Sequence, residues 1–197
     1  TGLIVDVGLW VIKEVVQKRK EWAAAGANVP RIAVNVSSIQ LSQPDFVAVV
    51  LDAMDAKEGV DSGIDIEVTE SMLMHNFEVD IAKLALLRDL GMTILIDDFG
   101  TGYSSLGYLA RLPIGAVKID RSFIVQMTEN ADMLSIVSAI IALAHSMRIK
   151  VVAEGVDTDE QLKFLRLLRC DEIQGYFFSK PLPENEFMSY MLENRSF

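Results

Sequence analysis

Positive charge is scarce in this chain: 18 Lys and Arg stand against 28 Asp and Glu, for a formal net charge of -10. A protein this acidic has no broad basic face with which to replace the counterions of a duplex, which argues against binding to double-stranded nucleic acid. Cysteine is nearly absent. The lone Cys170 has no internal partner for a disulfide and suits a reducing cytoplasm. Its setting, Leu167-Leu168-Arg169-Cys170-Asp171, reads as a small buried residue rather than a nucleophile. Long apolar runs are missing too. The best candidate, Ile136 to Ala144, is broken by Ser138 and followed by His145, well short of the roughly 18 residues that span a bilayer. A soluble cytoplasmic domain is therefore expected, any membrane anchor belonging to another domain of the parent protein.

No linker, low-complexity tract or change of composition divides the 197 residues, so one domain over 1–197 is expected. The opening Thr1-Gly2-Leu3-Ile4 carries no Met, targeting signal or helix cap and reads as the interior of a longer protein.

What is present is an alternation. Apolar residues at helical spacing run from Leu3 to Ala25, where Gly26 and Pro30 end the pattern. Strand candidates follow at Ile32 to Ser37, Ile64 to Glu70, Thr93 to Asp97, Ala116 to Asp120, Lys150 to Gly155 and Glu172 to Phe178. Between and after them, helices are expected over Pro44 to Met54, Phe77 to Leu90, Leu106 to Leu112, Asp132 to Met147, Asp159 to Leu168 and Glu184 to Leu192. Six strands separated by helices, with no hairpin signal, imply right-handed crossovers and a parallel sheet. The α/β class and a TIM-type (β/α)8 barrel fit this order, with about six strands retained and one or two expected before Thr1.

Chemistry in such barrels gathers at the C-terminal strand ends. The last polar residues of successive strands are Asn35, Glu67, Asp97 with Asp98, Lys118, Glu154 and Gln174. Buried charge on so many strands is unfavourable unless the groups converge and compensate one another. The segment Ile94-Leu95-Ile96-Asp97-Asp98-Phe99-Gly100 is the sharpest case, an apolar strand ending in two adjacent acids that a divalent cation would hold ionised together. The donors are carboxylate and amide oxygens, which suit Mg2+, Mn2+ or Ca2+ rather than Zn2+ or copper. They are more than one Mg2+ takes from protein; two ions sharing a carboxylate, about 3.5–4 Å apart, would use them all and are typical of phosphoester hydrolysis. Lys118 either orients an attacking water or phosphoryl oxygen, or simply neutralises Asp97 or Glu154.

Other notable residues read as structural. Trp10 and Trp22 are expected to pack, the nine Met to fill the core, His75 to lie in a surface loop, and His145 to cap carbonyls or face solvent. Gly100 and Gly102 make only a weak phosphate loop, with no Lys-Ser/Thr pair after them.

Taken together, Asn35-Val36-Ser37, Glu67-Val68-Thr69-Glu70, Asp97-Asp98-Phe99-Gly100-Thr101-Gly102, Lys118-Ile119-Asp120, Ala153-Glu154-Gly155-Val156 and Gln174-Gly175-Tyr176-Phe177-Phe178-Ser179-Lys180-Pro181-Leu182-Pro183 resemble, in order, the motifs of the EAL-domain phosphodiesterases. These bacterial signalling enzymes hydrolyse cyclic di-GMP to linear pGpG. The resemblance implies a modified TIM barrel with two Mg2+ or Mn2+ ions. Asn35, Glu67 and Asp97 would hold one, Asp97 would bridge, and Asp98 with Glu154 would hold the second. It further implies that Lys118 holds the attacking water and that Gln174 lies near the substrate phosphate or second metal. Glu70 would brace the loop Gly100 to Ser105, which also contributes to homodimer contacts, and Asp120 would be a neighbouring support. An upstream sensory or cyclase domain is the expected covalent partner. The Glu-Ala-Leu segment that names the family, with its metal-binding Glu and phosphate-gripping Arg, does not occur in this sequence. A binding-only receptor of cyclic di-GMP or a dimerising scaffold is the alternative that this departure keeps open, as it does the activity of these 197 residues by themselves.

Overall fold

In Ile64-Asp65-Ile66-Glu67-Val68-Thr69 apolar and polar residues alternate, so an extended chain sends one set to each face of a sheet. The computed structural model describes residues 2–54, 63–74, 76–102 and 106–193 and follows that alternation. His75 and Tyr103 to Ser105, for which a surface loop and part of a braced turn are expected, lie outside the described residues.

The strands are β1 (Ile32–Asn35), β2 (Ile64–Thr69), β3 (Ile94–Phe99), β4 (Ala116–Ile119), β5 (Lys150–Ala153) and β6 (Glu172–Ile173), all parallel and neighbouring in sequence order. The helices are α1 (Leu3–Ala24), α2 (Ser38–Ser42), α3 (Phe46–Ala53), α4 (Phe77–Asp89), α5 (Leu106–Leu109), α6 (Arg121–Gln126), α7 (Ala131–Ser146), α8 (Asp159–Leu167) and α9 (Glu184–Glu193). A 3-10 turn, Glu70–Met74, follows β2. Sequential parallel strands with intervening helices give the TIM-type (β/α) architecture expected from the sequence.

Outward-facing Ile64, Ile66, Val68, Ile94, Ile96, Val117, Ile119 and Val151 form the core with Leu84, Leu87, Ile124, Val137, Ile141 and Leu165 from the helices, each at most 1–2% exposed. Each such side chain contributes about 1.5–3 kcal/mol of hydrophobic burial. The opposite face of the sheet lines a cavity of about 750 Å³, where Ala33, Glu67, Leu95, Lys118, Val152 and Gln174 meet. At the N-terminal end of the sheet, Arg31 grips Asp65 through Nε at 2.9 and 3.0 Å and through Nη2 at 2.6 Å. Asp65 Oδ1 also accepts from the Thr93 amide at 2.7 Å, tying β1, β2 and the start of β3 together.

Several expectations need correction. A helix from Pro44 does not form; Ser37 and Gln40 instead build a capping box for α2, and α3 starts only at Phe46. The α6 helix was not expected from the periodicity because it is too short to show any, although the Asp120 carboxylate caps it by accepting from the Ser122 amide at 3.0 Å. β6 stops at Ile173 instead of reaching Phe178. Gly175 lies so close to the Val156 backbone that a Cβ would meet its carbonyl oxygen at 2.1 Å, and turn hydrogen bonds such as Phe178 N to Gly175 O replace the ladder. Trp22 packs as expected, 5.3 Å from the Phe187 ring, but Trp10 is 63% exposed: the buried side of α1 runs through Gly8 and Ile12. His145 faces solvent, one of its two expected placements, and also has a partner there: its Nε2 lies 2.8 Å from Asp171 Oδ2. Cys170, just after α8, is partly rather than fully buried, and burial pushes its thiol up to about 11, which suits an inert residue. Among the described residues, no helix is long and apolar enough to cross a membrane.

Candidate active site

The inward-facing residues rise along the sheet toward the C-terminal strand ends. On β1 and β2, Asn35 lies opposite Glu67. On β4, Lys118 is level with Val152 of β5, so Glu154 stands just beyond it, held by its amide to Ile119 O at 3.2 Å. Gln174 leaves β6 with its amide on Ala153 O at 2.8 Å.

β3 solves a geometric problem. Adjacent residues of a regular strand point to opposite faces, so Asp97 and Asp98 could not share a site. The register of β3 against β4 shifts between Ile96 and Phe99, and Asp98 adopts φ 54°. Aspartate is one of the few non-Gly residues that tolerates this left-handed conformation, and a bulge re-aims the side chains next to it. In consequence, carboxylate oxygens of Asp97, Asp98 and Glu154 all lie within 4.8 Å of one another.

Lys118, only 5% exposed, stands at the centre. Its Nζ is 2.7 Å from Glu154 Oε1, 3.0 Å from Glu67 Oε2 and 3.2 Å from Asp97 Oδ1. Burial works against its charged form, but the Glu154 and Glu67 carboxylates outweigh burial and hold the ammonium well above the usual lysine range. Burial pushes the Glu154 carboxyl up despite Lys118, with Asp97 and Glu67 adding to the rise. Asp98 is raised by burial and by the charges of Asp97 and Asp120. Glu67, Asp97, Asp98 and Glu154 together outnumber the single ammonium, so the cluster keeps surplus negative charge. All its donors are oxygens, the chemistry of a hard divalent cation, and an added cation would relieve the same repulsion that raises Asp98 and Glu154.

Glu70 reaches the turn after β3: its Oε2 accepts from the Gly100 amide at 3.4 Å, and a Cβ on Gly102 would come within 2.7 Å of Oε1. The turn itself depends on Gly100, at φ 98°. The structure thus brings Glu67, Asp97, Asp98, Lys118 and Glu154 together. Gln174 lies along the same cavity, whereas Asn35 is placed beside Glu67 by strand register, at an exposed position.

Two residues around this cluster were missed by the sequence reading. Arg121, directly after Asp120, donates from Nη2 to Asp157 Oδ2 at 2.8 Å, and Asp157 Oδ1 accepts from the Tyr176 amide at 3.3 Å. The available signal was positional: each follows a strand-end residue, Lys118 or Glu154, by three places.

Relatives bear on what this arrangement is for. The chain is 43% identical over 182 residues to the cyclic di-GMP phosphodiesterase NbdA of Pseudomonas aeruginosa, covering 92% of this chain and 23% of that protein. The MucR phosphodiesterase of Pseudomonas aeruginosa, solved as a cyclic di-GMP complex, superposes with a TM-score of 0.88 at 41% identity, over 95% of this chain and 76% of that one. BlrP1 of Klebsiella pneumoniae, solved as a manganese and cyclic di-GMP complex, gives a TM-score of 0.78 at 28% identity, over 90% of this chain and 45% of the other. The chain spans about a quarter of the length of the curated relatives it matches. The family model described as the EAL domain matches residues 1–181, and on that match the chain belongs to the EAL-domain family.

Proposed function

We propose that this chain carries most of the catalytic framework of a phosphodiesterase that opens cyclic di-GMP to linear pGpG with two divalent cations, Mg2+ or Mn2+. The observation that carries the reading is the buried Lys118 ammonium among Glu67, Asp97 and Glu154, with Asp98 turned into the same group by the β3 bulge. A merely structural lysine would balance one carboxylate; this one leaves surplus charge shaped for cations. The named activity of NbdA and the bound ligands of MucR and BlrP1 point the same way.

In this reading Asn35, Glu67 and Asp97 would hold one ion and Asp98 and Glu154 the other, with Asp97 shared between the two. Bound cations supply charge neutralisation at the phosphodiester and a lowered pKa for water. Lys118 then orients the attacking water. The water oxygen bonds to phosphorus as the bond to the ribose 3'-oxygen breaks, and the proton that the water gives up ends on that leaving oxygen. Gln174 positions the phosphate from the β6 side, and Glu70 holds the turn at Gly100 in place.

The test is pGpG release by the intact protein with Mn2+, followed by chromatography. Turnover is expected, with Asp97→Asn reducing it by more than about 100-fold, beyond the loss typical of changes outside the ligand shell. Near-normal turnover by Asp97→Asn would remove the bridging role, and release of no pGpG by the wild type would remove the hydrolytic reading.

A further inference from the structure

The exits of β4, β5 and β6 are joined by contacts that the proposed chemistry does not use. Lys118 is followed three residues later by Arg121, Glu154 three residues later by Asp157, and Gln174 two residues later by Tyr176. Asp157 spends one carboxylate oxygen on each neighbour: Oδ2 takes Arg121 Nη2 at 2.8 Å, and Oδ1 takes the Tyr176 amide at 3.3 Å. The backbone between is drawn tight. Gly155 sits at φ 67° with the aliphatic stem of Arg121 where its Cβ would be, the nearest carbon at 2.2 Å from that position. The Val156 amide donates to Gln174 O at 3.1 Å, and its carbonyl accepts from Phe177 N at 3.0 Å. On the far side, the Asp157 amide donates to Gln161 Oε1 at 2.8 Å, fixing the start of α8.

An ion pair whose Arg121 side chain is 60% exposed adds little to stability. Its position is more informative, because it spans the three loops that set Lys118, Glu154 and Gln174 relative to one another. We propose that Arg121 and Asp157 are positioning residues of the site: together they hold Glu154 at its distance from Lys118 and keep Gln174 on the cavity wall it shares with Glu67 and Lys118. Arg121 acts through Asp157, whose other carboxylate oxygen holds the Tyr176 amide. The catalytic part of this inference rests on the phosphodiesterase reading; the part concerning metal affinity does not.

The intact protein is compared with Arg121→Met, which keeps the aliphatic stem and removes the guanidinium, with Asp157→Ala, and with the double variant. Mn2+ affinity is read by calorimetry, kcat and KM on cyclic di-GMP by pGpG release, and folding by the thermal midpoint. Each single variant is expected to bind Mn2+ about 10-fold more weakly, in the range of groups that orient metal ligands. It should lose kcat more than KM and melt within about 3 °C of the wild type. The double variant should bind Mn2+ no more weakly than Asp157→Ala alone, because the two residues act through one contact. Unchanged Mn2+ affinity in both single variants overturns the proposal, as do additive losses in the double variant or a wild type that binds no Mn2+. A wild type that binds Mn2+ but leaves cyclic di-GMP intact overturns the hydrolytic reading alone, and the affinities still decide the clamp.

Discussion

Replacing Lys118 by Met separates the structural from the chemical work of the site. The substitution keeps the length and apolar stem of the side chain but deletes an ammonium that lies 2.7 to 3.2 Å from three carboxylates. Breaking a buried ion pair from one side typically destabilises a protein by about 3–5 kcal/mol, because the remaining charge is left uncompensated. The side chains of Asp97 and Glu154 retain 16% and 17% exposure, against 9% for Glu67, so water relieves part of the repulsion and the low end, about 3 kcal/mol, is expected. With a urea slope of about 2 kcal/mol/M, the unfolding midpoint in EDTA at pH 7 should fall by about 1.5 M.

The sign of the pH dependence follows from the same contacts. Without Lys118 the already raised Glu154 and Asp98 carboxyls lose the charge that holds them down and are pushed further up, so the folded state binds more protons than the unfolded one. Stability from such raised acids is present below the unfolded carboxylate pKa and is lost as pH rises through the folded one. The deficit of Lys118→Met should therefore be smaller at pH 5 than at pH 7. Saturating Mn2+ should shrink it too, since the variant has more negative charge to offer the ion, even though pGpG release is lost. Equal urea midpoints for variant and wild type in EDTA at pH 7, or a deficit that grows on acidification, would refute the reasoning.

Raised carboxyls at Asp98 and Glu154 also predict that protons compete with Mn2+: affinity should fall from pH 7 to pH 5, by up to about tenfold per pH unit for each proton released, as calorimetry in buffers of different ionisation enthalpy would show. If affinity is flat over that range, neither group is a ligand. At the other end of the sheet, Asp65→Ala should remove the Arg31 grip and orphan the Thr93 amide, for a loss of about 3 kcal/mol or roughly 6–12 °C in thermal midpoint, with Mn2+ affinity unchanged in the folded protein. An unshifted melt would mean that the clasp contributes no net stability.

Much of this molecule was legible along the chain. The alternation in Ile64-Asp65-Ile66-Glu67-Val68 dictates a strand with an apolar outer face and a polar inner one, and the order of strands and helices dictates a parallel sheet. The strand-end acids and Lys118 could be picked out because a polar residue ending an apolar strand needs a reason to be there. Short elements were not legible: α6 covers less than two turns, and the end of β6 is decided by the closeness of Gly175 to Val156, a residue far away in sequence.

Tertiary structure alone decided how the acids combine. Period-two geometry would separate Asp97 from Asp98, and only the bulge paired against β4, with Asp98 in the left-handed region, turns both toward Glu154. Likewise, nothing along the chain says that Lys118 touches Glu67, Asp97 and Glu154 at once, or that Arg121 reaches Asp157. Composition and spacing set which groups are available at each strand end. The register between strands sets which of them meet, because charges interact through space and the sheet, not the sequence, fixes those distances.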